Sequence, residues 1–136
     1  MSVNIPPNVA PTVRVIAMPA DTNANGDIFG GWLLSQMDLA GGTLAARISR
    51  GRAVTVRVEG MSFLAPVAVG DEVSIYAELL SYGRTSMTIG ITAFRRHRSE
   101  EESVKVTEGT FVFVAIDAEK QPRPLPEGAN VAISRS

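Results

Sequence analysis

The 136-residue chain contains no cysteine and a single histidine, His97. Without thiols there can be no disulfides, thiolate zinc sites, iron–sulfur clusters or cysteine nucleophiles. One histidine cannot build the ligand sets of zincins or non-haem iron enzymes, and a Ser-His-Asp triad would have to run through that residue alone. No metal site is therefore expected, and catalysis falls to carboxylates, amides or backbone dipoles. A bias of charge is missing as well. The 13 Lys+Arg and 14 Asp+Glu leave a net charge of −1, which offers no general electrostatic footprint for nucleic acid or an anionic membrane. Long apolar runs are also missing: the longest uncharged stretch, Met1 to Val13, carries Pro6, Pro7 and Pro11. Neither a transmembrane helix nor a secretory h-region is expected, and a cytoplasmic location is the default.

What the chain does have is 45% hydrophobic and 20% charged residues, a balance that folds around a core. Its length fits one domain at about 150 residues per domain. The Pro- and Asn-rich residues 1–11 read as a flexible arm, 12–126 as the domain and 127–136 as a tail. Val13, Val15 and Ala17 alternate as a short first strand. An elaborate turn follows, Asp21-Thr22-Asn23-Ala24-Asn25-Gly26-Asp27, whose Asn, Asp and Gly residues supply side-chain turns. Leu33, Met37, Ala40, Leu44 and Ile48 then recur at intervals of 4, 3, 4 and 4, which predicts one long amphipathic helix from Gly31 to Ile48.

The remainder never returns to a helical period. Val54, Val56 and Val58 share one face of a strand, and the shift to Met61 and Phe63 predicts a bulge at Gly60. Val73 to Leu79, Met87 to Ala93 and Val104 to Ala115 give three more strands, with a second parity change near Gly109. The charged run Arg95 to Glu102 reads as a solvated hairpin end. A single helix lying lengthwise in the concave face of a strongly twisted antiparallel sheet of about five strands satisfies this order, an α+β arrangement. The outer face retains many apolar residues, so oligomerisation is expected.

The densest chemical signal runs from Asp21 to Gly42. A helix N-terminus behind Gly30-Gly31 presents free N–H groups and suits an oxyanion, although the glycines equally well ease a tight strand-to-helix turn. Asp38 lies about two turns inside the helix, with Leu34, Gly41 and Gly42 as helical neighbours. It could orient or deprotonate water, or serve as a structural carboxylate. Two mid-helix glycines cost roughly 1 kcal/mol each relative to Ala, which close approach of a partner helix or a ligand would offset.

The run Met18 to Trp32, followed by Ser35-Gln36-Met37-Asp38, resembles the signature of hotdog-fold acyl-CoA thioesterases, most closely the small bacterial YciA type. The resemblance continues through Val54-Thr55-Val56, Gly60-Met61-Ser62-Phe63, Pro66 to Asp71 and Gly83-Arg84-Thr85-Ser86, covering about residues 12 to 126. It implies hydrolysis of acyl-CoA to CoA and a carboxylic acid. The family's loop Asn and helix carboxylate correspond to Asn23 and Asp38, brought together from opposite subunits of a dimer that typically forms a trimer of dimers. The resemblance gives Asp38 the role of base or nucleophile and the amides of Gly30 and Gly31 the task of polarising the carbonyl. Arg84, Thr85 and Ser86 are expected beside the CoA groove, unless their turn is an ordinary hairpin. The strand Val54 to Val58, with Thr55 and Val56, is expected beside pantetheine, where it could offer its edge amides, with Arg57 near phosphate. No cofactor is implied beyond CoA as part of substrate and product. A non-catalytic acyl-CoA sensor would need an output region, and a hotdog dehydratase would present a histidine in the loop-and-helix motif, where this chain has none.

Overall fold

The computed structural model describes residues 9–128; the expected arm and tail lie outside them except for residues 9–11 and 127–128. The elements are β1 (Val13–Ile16), a 3-10 turn (Pro19–Asp21), α1 (Gly30–Ser49), β2 (Ala53–Phe63), β3 (Glu72–Tyr82), β4 (Ser86–Arg96) and β5 (Ser103–Ala115). All strands pair antiparallel in one sheet of order β1-β3-β4-β5-β2. The helix and five-stranded sheet are those the residue spacing predicts. Leu33, Met37, Ala40, Leu44 and Ile48 are all buried and share one core with Ile75, Met87, Ile89, Ile91, Phe111 and Phe113.

A sheet can wrap a helix only if it twists strongly, and extra residues on one strand of a pair increase twist and bend it. The register slips by one residue at Val56 and again across Gly60–Met61 against β5, at Leu80 against β4, and at Val106 against β4. Gly60 has φ +64°, a backbone conformation that glycine adopts without Cβ strain. The expected bulge at Gly60 is present, whereas the parity change of β5 falls at Val106 instead of near Gly109. Gly109 lies opposite the Gly60–Met61 bulge, where a Cβ would sit 2.8 Å from Met61 Sδ.

The slip at Val56 overturns the expectation that Val54, Val56 and Val58 share one face. Thr55 pairs with Phe113 and Val58 with Phe111, so both look toward the helix, whereas Val54 and Arg57 pair with Val114 and Val112 and look away. Regular alternation in the sequence conceals this, because a bulge need not interrupt a Val-Thr-Val-Arg-Val run.

The ends of the sheet are tied by side chains. The Arg95 to Arg98 segment is no mere solvated hairpin end: Arg95 Nε donates to Pro66 O at 2.8 Å, and Arg96 pairs with Glu72 at 3.4 Å. His97 Nδ1 lies 2.6 Å from Oδ1 of Asp71, which is 2% exposed and also accepts the Ala68 N–H. At the other end of α1, Arg123 donates to Ile116 O, Ser49 O and Arg52 O. It thereby joins the last helical turn to the start of β2.

Gly41 is explained by the sheet, not by a ligand or a partner helix. A Cβ there would lie 2.7 Å from Ile91 Cδ1 and 2.8 Å from Phe113 Cε1, whereas at Gly42 the nearest atom is Phe113 Cε2 at 3.8 Å. Gly41→Ala should therefore destabilise the protein by about 1–3 kcal/mol through overpacking. Gly42→Ala should stabilise it by about 1 kcal/mol through helix propensity. Chemical denaturation at matched protein concentration measures both, and effects of the same sign would contradict this packing.

Candidate active site

Asp38 projects from the exposed side of α1, beside Leu34 and Leu39, which are themselves exposed. Its Oδ1 accepts a hydrogen bond from Thr55 Oγ1 at 2.5 Å, in the short range of hydroxyl-to-carboxylate bonds. The bond exists because the slip at Val56 leaves Thr55 on the helix side of β2. Thr55, expected beside pantetheine, fixes the orientation of one carboxylate oxygen, and the other has no partner among the described residues. Sequence reasoning missed that role for want of any visible sign of the bulge.

Asn23 organises the loop before the helix. Its Oδ1 accepts the N–H groups of Asn25 at 2.9 Å and Asp27 at 3.2 Å, its own N–H donates to Asp27 O, and Gly26 donates back to Asn23 O. Gly26 takes φ +84° to close the turn. With its carbonyl oxygen turned inward onto two donors, the carboxamide has only its NH₂ group to offer outward. Asn23 is therefore a donor in any site it joins.

The loop delivers the chain to α1 with Phe29 as N-cap and no side-chain cap. Among the described residues the Gly30 and Gly31 N–H groups have no hydrogen-bond partner. Both point out of the helix start, where the aligned peptide dipoles leave about half a positive charge. Asp38 lies seven residues beyond Gly31, or about 10 Å along the axis. Within the chain, Asp38 is bonded to Thr55 and the Asn23 side chain to its own loop.

The other expected residues divide. Ser86 pairs with Val114 and Val114 with Val54, so the Arg84-Thr85-Ser86 turn stands two strands, about 10 Å, across from the residue before Thr55. Arg84 is exposed, and its guanidinium has no partner among the described residues. Arg57, expected near phosphate, faces away from α1 and pairs with Glu59 at 2.9 Å. Val54 also faces away and Val56 is the bulged residue, both exposed on β2, an outer strand of the sheet.

Comparison with known proteins gives a consistent answer. The model of the Thioesterase superfamily matches residues 25–102. The acyl-CoA thioester hydrolase YciA of Escherichia coli is 56% identical over 117 residues, covering 84% of this chain and 89% of that protein. The hexameric thioesterase y2039 from Yersinia pestis superposes with a TM-score of 0.85 at 52% identity, covering 90% of this chain and 99% of that one. A hexameric hotdog fold thioesterase of Campylobacter jejuni superposes with a TM-score of 0.86 at 31% identity, covering 93% and 97%.

The Asn23 geometry separates the two ends of its carboxamide. Asn23→Asp keeps the inward acceptor and should leave the loop intact, whereas Asn23→Ala removes it and should cost about 1 kcal/mol of local stability. Amide hydrogen exchange at Asn25 and Asp27 reads this directly, with faster exchange expected in the alanine variant alone.

Proposed function

The chain belongs to the thioesterase superfamily, and from that premise we propose that it hydrolyses acyl-CoA thioesters to CoA and a carboxylic acid. The observation that carries the reading is the Asp38 carboxylate, oriented by Thr55 on the exposed side of α1 beside Leu34 and Leu39. A base or nucleophile there faces outward from the chain, so the rest of its site comes from a second copy. The exposed Val54, Val56 and Val58 on the outer strand β2 give that copy an apolar edge to cover. A two-fold axis at this edge would produce two equivalent sites, each with Asp38 and Thr55 from one subunit and Asn23, Gly30 and Gly31 from the other. The two similar thioesterases of known structure named above are hexamers, and a trimer of such dimers is the assembly we infer.

The thioester oxygen would sit against the Gly30 and Gly31 amides, with the Asn23 NH₂ as an added donor. Charge on that oxygen grows as the carbonyl is attacked, and a donor placed for it is typically worth about 10²–10³-fold in kcat. Either Asp38 takes the proton of a water as it attacks, or the carboxylate attacks and the resulting acyl-enzyme anhydride is hydrolysed. Both routes break the C–S bond and end in the carboxylic acid and the CoA thiol, and neither needs a cofactor or a metal. Arg84, whose guanidinium has no partner among the described residues, would take CoA phosphate with Thr85 and Ser86, as a charge-assisted donor. A dehydratase reading would need a histidine at the site, but His97 is engaged by the buried Asp71.

Thiol release from short, medium and long acyl-CoAs tests the reading. Asp38→Asn should fold yet lose about 10²-fold or more in kcat. Thr55→Val should lower kcat, and Thr55→Ser should restore it. Arg84→Ala should raise KM more than it lowers kcat, and EDTA should leave turnover unchanged. Near-normal kcat in a folded Asp38→Asn protein would reject the assignment.

A further inference from the structure

We infer that Phe63 sets the length of acyl chain that the site accepts, a step that rests on the thioesterase reading above. Beside the start of α1 lies an open groove of about 540 Å³, within the range of about 300–1,000 Å³ usual for small-molecule sites. Its floor is apolar and buried, formed by Ile28, Leu33 and Val67, while Phe63 and Leu64 stand exposed at its rim. Gly30 lines the same groove. The residue whose amide would hold the thioester oxygen is therefore also where an acyl chain leaving that carbonyl would enter the groove and reach its apolar floor.

Phe63 occupies that junction. Its Cζ and Cε1 lie 3.1 and 3.2 Å from where a Cβ on residue 30 would stand, so the ring rests directly on the Gly30 backbone. A Cβ at residue 30 would push the ring away by a few tenths of an ångström. The bulge at Gly60–Met61 brings the ring here, since Phe63 pairs with Thr107 on the helix side of the sheet. The backbone on either side is anchored, with Ser62 O accepting from Thr107 Oγ1 and Leu64 N–H donating to Val106 O at 2.7 Å. The side chain is nevertheless 56% exposed. A ring that can swing on a fixed backbone, between the carbonyl position and the groove, acts as a threshold. Short acyl groups stop in front of it, and longer ones enter the groove only by displacing it.

Each methylene that passes into an apolar groove is worth about fourfold in kcat/KM, so the ratio of kcat/KM for a twelve-carbon over a four-carbon acyl-CoA is a sensitive readout. Phe63→Ala should raise this ratio by about tenfold or more, Phe63→Leu should fall between Ala and wild type, and Phe63→Trp should lower it. Because Phe63 is largely exposed, these variants should fold, and circular dichroism with size-exclusion chromatography verifies fold and assembly. A ratio that stays constant while rates rise or fall together at both lengths would overturn the inference, and a change in assembly without a change in the ratio would make Phe63 an interface residue only. If the wild-type protein releases no thiol from any acyl-CoA, the thioesterase reading itself fails. An active wild type with an unmoved ratio removes the role of Phe63 alone.

Discussion

Which side chains of β2 look at α1 is decided by two residues too many. Against β5, the strand carries one extra residue at Val56 and another across Gly60–Met61. The first leaves Thr55 and Val58 on the helix side together, and the second returns Phe63 to that side. Thr55 therefore meets Asp38 in the middle of the helix, and Phe63 meets Gly30 at its start. Deleting either extra residue would exchange the two faces of everything beyond it. The same insertions sharpen the twist that lets the sheet close around the helix, so the curvature of the fold and the equipment of its site have one origin.

That register needs firm anchors, because an outer strand with both faces exposed has little packing of its own. Arg123 holds one end, bonding the last turn of α1 and the start of β2 with a single guanidinium. Gly51 leaves room for it, since a Cβ there would lie 2.5 Å from Arg123 Nη2. The helix is seated against the sheet at Gly41, where backbone meets Ile91 and Phe113 with no side chain between. On this frame Asp38 projects toward solvent, and in the proposed dimer the covering subunit would strip water from the carboxylate and strengthen its polar contacts.

The elements whose residues repeat with a clear period were legible: the helix with its stripe from Leu33 to Ile48, and the β3 and β4 faces carrying Val73, Ile75, Ile89 and Ile91. So was the bulge at Gly60, announced by a change of parity, while Asp38 and the Asn23 loop were singled out by their resemblance to known thioesterases. Val56 was not legible, since a bulged residue that is itself a valine preserves the alternation it breaks. Its concealment hid the bond from Thr55 to Asp38 and the pairing of Arg57 with Glu59 on the opposite face. Gly41 was noticed for its cost, but the atoms that require it, on Ile91 and Phe113, are far away in the chain.

The central claim is that one site is assembled from the Asp38–Thr55 pair of one subunit and the Asn23 loop and helix start of another. Mixing inactive Asn23→Ala and Asp38→Asn proteins under conditions of subunit exchange addresses it most directly. Random pairing of equal amounts makes half of the dimers mixed, and each mixed dimer has one intact site, so about a quarter of wild-type activity should return. If exchange is demonstrated by mass-labelled subunits and no activity returns, the two halves of the site do not come from different chains.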